Sequence, residues 1–192
     1  MTWLIVAVVV VVLLGLFVIV LYNRLVRLRN RAENAWAQVE VQLKRRHDLI
    51  PNLVQTVKGY AAHERATFDS VTEARTSAQR AATVEQQAAA ENGLTAAIGR
   101  LFAVAENYPQ LRASENFQQL QGELEETEDK IAVSRQLYND SVLAYDNARE
   151  TVPTSFVAGL LRFQPRPYFE IDEPSRALPQ ADFSALPAPQ DG

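Results

Sequence analysis

The chain has 192 residues, with 19 Lys and Arg set against 23 Asp and Glu, and no cysteine. The lack of thiols excludes disulfide bridges, thiolate metal sites and a cysteine nucleophile. A net charge of −4 argues against nucleic acid as a partner, because phosphates call for a basic face.

Trp3 to Leu21 is an uncharged apolar run of 19 positions, nearly all Val, Leu and Ile. At a helical rise it covers roughly 29 Å, enough to cross the hydrocarbon core of a bilayer, so residues 1–21 are expected to form a transmembrane anchor. A cleaved secretory signal fits less well. No basic segment precedes the run, and Tyr22-Asn23-Arg24-Leu25 after it offers no small-residue cleavage site.

Arg24, Arg27, Arg29 and Arg31 follow within ten residues. They predict contact with the membrane surface and, by the positive-inside rule, a short N-terminus outside and the C-terminal domain in the cytoplasm. Tyr22 to Asn52 carries seven Lys and Arg against three acids, so with no charge in the first 21 positions the remainder holds −8. A basic collar with acidic parts further out suits the anionic inner leaflet of a cytoplasmic membrane.

Beyond the anchor, Leu25, Leu28, Ala32, Ala35, Val39, Leu43, Ile50, Leu53, Val57 and Tyr60 recur at spacings of three and four, with only the Arg46 step polar. This is an amphipathic helix with a heptad-like seam. Pro51 makes either a kink or a boundary; because the apolar phase runs through it, a bent helix continuing to about Arg80 is favoured over a reversal at Arg46 to Ile50. Trp36 beside the seam is read as core packing. Lys44-Arg45-Arg46-His47 is read as a solvated face.

A further helix starts near Val84 and stops at Tyr108-Pro109, with Ala88, Leu94, Ala97, Ile98, Leu101, Phe102, Val104 and Ala105 on one face. Another starts at Ser114, a plausible N-cap, and runs to about Thr151 on Phe117, Leu120, Leu124, Thr127, Ile131, Ser134, Tyr138 and Tyr145. Thr127 and Ser134 are candidates for fixing helix register from within the seam. The acids Glu123, Glu125, Glu126, Glu128 and Asp129 read as a solvated face. Three to four long amphipathic helices bury their seams only against each other, so the expected fold is all-α: the anchor followed by an antiparallel bundle over residues 22–153 with coiled-coil-like packing.

After Pro153 an aromatic segment, residues 154–173, is expected to lie in a groove of the bundle, with Phe163, Tyr168 and Phe169 as an alternative surface for a partner or the membrane. From Pro174 to Gly192 the Pro-, Ala- and Ser-rich composition predicts a disordered tail.

Catalytic signals are thin. His63-Glu64 opens like a zinc-protease motif, but Thr67 stands where the second histidine belongs, and Lys44 and Tyr60 replace the glutamates that di-iron pairs would need before His47 and His63. No phosphate-cradling glycine loop or nucleophile elbow occurs. No catalytic residue, metal or cofactor is therefore expected.

Several blocks together resemble one family: Tyr22–Arg31 (YNRLVRLRNR), Glu33–Trp36 (ENAW), Val41–Leu53 (VQLKRRHDLIPNL), Val57–Tyr60 (VKGY), Glu91–Thr95 (ENGLT), Leu101–Pro109 (LFAVAENYP), Asn116–Leu124 (NFQQLQGEL), Tyr138–Asp140 (YND) and Phe169–Ile171 (FEI). They are similar to the bacterial LemA family and cover nearly everything from the anchor to about Ile171. The resemblance implies a membrane-anchored helical bundle with a cytoplasmic domain, without catalytic residues to carry over; a relative in magnetotactic bacteria takes part in building a membrane organelle. The favoured reading is a non-catalytic membrane scaffold or adaptor that meets the bilayer, an unidentified membrane or cytoplasmic protein, and in one version a second copy of itself. The alternative is a membrane-linked enzyme or regulatory subunit attached to envelope proteolysis.

Overall fold

The structure is a computed structural model that describes residues 1–170. Its elements, all helices among the described residues, are α1 (Thr2–Lys58), α2 (Arg65–Arg80), α3 (Val84–Ala105), α4 (Pro109–Arg112), α5 (Glu115–Glu150) and α6 (Thr154–Leu160).

α1 is one helix of 57 residues in which the apolar run passes into the amphipathic seam without a break. Residues 1–20 stand clear of the rest, and Leu21 is the first buried side chain. Pro51 lies inside α1 and does not end it. Its missing N–H leaves the His47 carbonyl without its helical donor, and Arg75 Nε of α2 donates to that oxygen at 2.7 Å instead. The helix does not continue to Arg80 as expected. It stops at Gly59, and residues 59–64 reverse the chain, burying Ala61 while Tyr60 faces out. Lys58 then lies 5.4 Å from the Phe68 ring as α2 folds back along α1.

Thr83 caps α3, its hydroxyl accepting from the Gln86 N–H at 3.2 Å. Pro109 opens α4, a single turn that buries Leu111 and that periodicity alone did not register. Ser114 stands at the N-cap of α5, though its side chain makes no capping bond. α5 runs antiparallel to α1: Asn116 bonds Thr56 near its start, Arg45 meets Glu126 further on, and the Trp36 ring packs tilted with its centroid 5.2 Å from that of Tyr138.

The molecule therefore has two parts. At the distal end α1, α2, α3 and α5 enclose one apolar cluster that includes Ile50, Val57, Phe68, Leu94, Leu101 and Leu124. Nearer the N-terminus α1 and α5 form a long pair, joined by Val84 and Ala88 at the start of α3 and by α6 at the base, and these helices leave part of the seam uncovered. Residues 161–170 close that gap as an extended strap. Tyr145 Oη donates to the Gln164 carbonyl at 2.8 Å, and Tyr138 Oη to the Pro167 carbonyl at 2.7 Å. Asn139 pairs with both backbone groups of Phe169, accepting from its N–H at 2.9 Å and donating to its carbonyl at 3.2 Å. Phe169 is fully buried against Trp36, with ring centroids 5.1 Å apart. The expected tail from Pro174 lies outside the described residues.

Candidate functional site

Two places concentrate chemistry: a charge network inside the distal bundle and the end of the molecule where α1 leaves the apolar run.

The network starts from Arg46, which occupies a seam position of α1 and is 1% exposed, and Glu91 of α3, which is 0% exposed. Arg46 Nη1 donates to Glu91 Oε2 at 3.0 Å and Nη2 to Thr95 Oγ1 at 2.7 Å. Its Nε lies 2.8 Å from Glu128 Oε1 of α5, a charge contact rather than an aligned hydrogen bond. The other oxygen of Glu91 sits 2.8 Å from His47 Nε2 and accepts from Gln87 Nε2 at 2.8 Å. An ionised Glu91 only accepts, so His47 Nε2 carries a proton in this arrangement. Gln87 also donates to the Ala78 carbonyl at the end of α2. Burial pushes the Glu128 carboxyl up, Arg46 pulls it down, and the Glu91 and Asp129 carboxylates add to the rise.

This corrects the reading of Lys44-Arg45-Arg46-His47 as a solvated face. Lys44 and Arg45 are exposed, whereas Arg46 and His47 are buried. Glu128 likewise leaves the solvated acidic face to meet Arg46, while exposed Glu126 pairs with Lys130 and Arg45, which hold its carboxyl below the ordinary range. The signal was present in the sequence. Arg46 falls in phase with Leu43, Ile50 and Leu53, and Glu91 with Ala88, Leu94 and Ile98; opposite charges on two apolar faces are the mark of an internal pair. Chemically the network ties α1 to α2, α3 and α5, and its groups are spent on one another. Thr127 and Ser134 do not fix register across helices: each hydroxyl donates within α5, to the carbonyls of Glu123 at 2.7 Å and Lys130 at 2.8 Å. Among the described residues no group of three or more His, Asp or Glu side chains is placed to hold a metal ion.

The second place is the base of the α1–α5 pair. Leu21 and Leu25 share a cluster with Tyr145, Ala148, Val157 and Ala158, so α6 packs where the apolar run ends. Arg24, Arg27 and Arg31 are exposed, while half-buried Arg29 lies 5.9 Å from the Phe163 ring and 3.9 Å from Glu33. Glu33 also accepts from Arg166 of the strap. Of the three aromatics named as the alternative surface, Phe169 is withdrawn into the core and is corrected to a packing residue. Phe163 is half-buried, edge-on to Tyr22 at 5.9 Å, and Tyr168 is exposed.

α1 contains the described residues' one helix long and apolar enough to cross a membrane. A family model described as the LemA family matches residues 35–183. Two proteins of Paramagnetospirillum magneticum, Magnetosome protein MamQ 1 and Magnetosome protein MamQ 2, are each 26% identical over 78% of this chain and 64% of their own length. Magnetosome protein MamQ of Magnetospirillum gryphiswaldense is 26% identical over 77% of this chain and 64% of its own. The chain thus spans somewhat less than two thirds of the curated relatives it matches. With a family match running over most of its length, the chain belongs to the LemA family.

Proposed function

We propose that this protein is a non-catalytic scaffold of the bacterial cytoplasmic membrane, with a short N-terminus outside and a rigid helical bundle held on the cytoplasmic face to organise other proteins. The observation that carries this reading is the continuity of α1, because the span enters the bundle with no linker between Val20 and Leu21. A helix without a joint transmits position and orientation, which a scaffold needs and a flexible tether does not supply. Arg24, Arg27 and Arg31 then stand in the headgroup region, where cations are favoured on the inner leaflet.

The absence of catalysis is supported by the fate of the distal ionisable groups. Arg46, His47 and Glu91 are closed off from solvent and satisfy one another, so a substrate has no approach to them. Contact with other proteins is assigned to the outer face of α5, where Val133 and Leu137 are exposed one turn apart. The magnetosome relatives fit a part in organising a membrane compartment.

The test is proximity labelling from the C-terminus in living cells, beside a variant lacking Trp3 to Leu21. Enrichment of a small protein set that vanishes with the span supports the scaffold. An identical set with and without the span removes the reading.

A further inference from the structure

α6 is amphipathic in an unusual direction. Thr154, Val157 and Ala158 face the bundle, while Phe156 is 74% exposed and Leu160, one turn on, is 80% exposed. Val152, in the turn before α6, is 73% exposed, and Leu161 also faces out. Water is a poor environment for four large apolar side chains grouped on one end of a molecule. The position of that end identifies what covers them.

α5 and α1 are antiparallel, with Trp36 beside Tyr138 and with Tyr145 and Ala148 in one cluster with Leu21 and Leu25. Carrying this register one turn further sets Val152 beside the last turn of the apolar run, and α6 is packed at the same level. Arg24 and Arg27 stand about 4.5 to 9 Å above Leu21 along α1, at headgroup height. The two acids nearest this end share one cation: Arg149 Nη2 lies 2.6 Å from Glu150 Oε1 and its Nε 3.1 Å from Asp146 Oδ1. The apolar patch is thus continuous with the span and flanked by arginines, and the two carboxylates nearest it are both paired with Arg149.

We infer that α6 is a second membrane contact, whose Phe156, Leu160, Leu161 and Val152 sit in the interfacial layer of the bilayer that α1 crosses. The inference rests on α1 being the span. Short apolar faces with an aromatic residue partition into this layer, and flanking arginines reach the phosphates. Two contacts on one rigid body fix what one cannot: α1 alone leaves the bundle free to rotate about the span, whereas α6 sets which face of α5 looks into the cytoplasm.

Because the chain contains no cysteine, single substitutions give unique thiols for a nitroxide label. The full chain is reconstituted in vesicles of phosphatidylethanolamine and phosphatidylglycerol with labels at Phe156→Cys or Leu160→Cys. Leu13→Cys reports the span. Val133→Cys reports an exposed apolar site at least about 22 Å above Leu21, judged from the pairs that bracket it. These side chains are exposed, so the substitutions leave the core intact. Relaxation by oxygen, which concentrates in lipid, is compared with relaxation by a water-soluble nickel chelate. The expected result is that both α6 labels group with Leu13, high in oxygen and low in nickel access. If they group with Val133 while Leu13 stays in lipid, the α6 contact is wrong and the anchor stands. If Leu13 also groups with Val133, the anchor itself fails. Shielding of the α6 labels from both reagents marks a protein covering the patch and overturns the inference.

Discussion

Glu91→Gln is the sharpest probe of the distal bundle. The substitution keeps shape and volume but removes the charge that faces Arg46 at 3.0 Å and His47 at 2.8 Å, in a position with no solvent exposure. Removing one partner of a buried pair leaves the other uncompensated and costs about 3–5 kcal/mol. Glu128 remains 2.8 Å from Arg46 Nε and is partly exposed, so it recovers a fraction of the loss, and the lower part of that range, about 3–4 kcal/mol, is expected. For a domain of this size that corresponds to a fall in Tm of about 6–16 °C. Circular dichroism of the full chain in detergent, heated and titrated with urea, reads both quantities. The double variant Arg46→Met with Glu91→Leu should lose less than Glu91→Gln alone, because apolar replacement of both charges restores a matched interior. Glu126→Gln, which breaks only exposed pairs, should leave the melt unchanged. A Glu91→Gln protein within about 1 kcal/mol of the parent would refute the claim that this pair clamps α3 to α1.

Other consequences follow from the same contacts. Arg75→Met removes the donor to the His47 carbonyl that Pro51 leaves open, and should destabilise by about 1.5–3 kcal/mol in the same urea titration. Pro51→Ala lets the new N–H compete for that carbonyl, so adding Arg75→Met to Pro51→Ala should cost less than in the parent. Asn139→Ala frees both backbone groups of Phe169 and should raise amide exchange at Tyr168 and Phe169 well before global unfolding. Burial pushes the Tyr138 phenol up from 10.0 to about 12, with Glu85 and Asp146 adding to the shift and Arg166 opposing it. In that window an unfolded chain has released a proton that the folded one keeps, so stability falls as pH rises from 10 towards 12. Tyr138→Phe should show a shallower fall over that range.

The parts of this fold that obey one period were legible in advance. The uncharged run, the seam of α1 through Pro51, and the faces of α3 and α5 each repeat at helical spacing, and all of the apolar positions named on α5 are buried. What failed did so where a side chain's partner lies far along the chain. Arg46 looked solvated because its immediate neighbours Lys44 and Arg45 are; its burial is made tolerable by partners far along the chain, Glu91 at 45 residues away together with Thr95 and Glu128. The end of α1 at Gly59 was missed because Tyr60 keeps the phase of the seam, whereas Ala61 beyond it is the residue that enters the core. Phe169 was grouped with Phe163 and Tyr168 by composition. Its burial depends on Trp36 and Asn139, on helices that no local pattern connects to the strap. The apolar end formed by α6 was hidden for the same reason, since its meaning comes from lying beside Leu21.

The central claim is that span and bundle share one rigid helix, and a cysteine scan of α1 from Leu13 to Ala35 in lipid vesicles tests it most directly. The expected result is nitroxide mobility that keeps a 3.6-residue period across Leu21, with access passing from lipid to water between Leu21 and Arg27. A stretch of mobile, aperiodic labels anywhere between Val20 and Leu28 would show a joint there, and a jointed helix cannot hold the bundle as described.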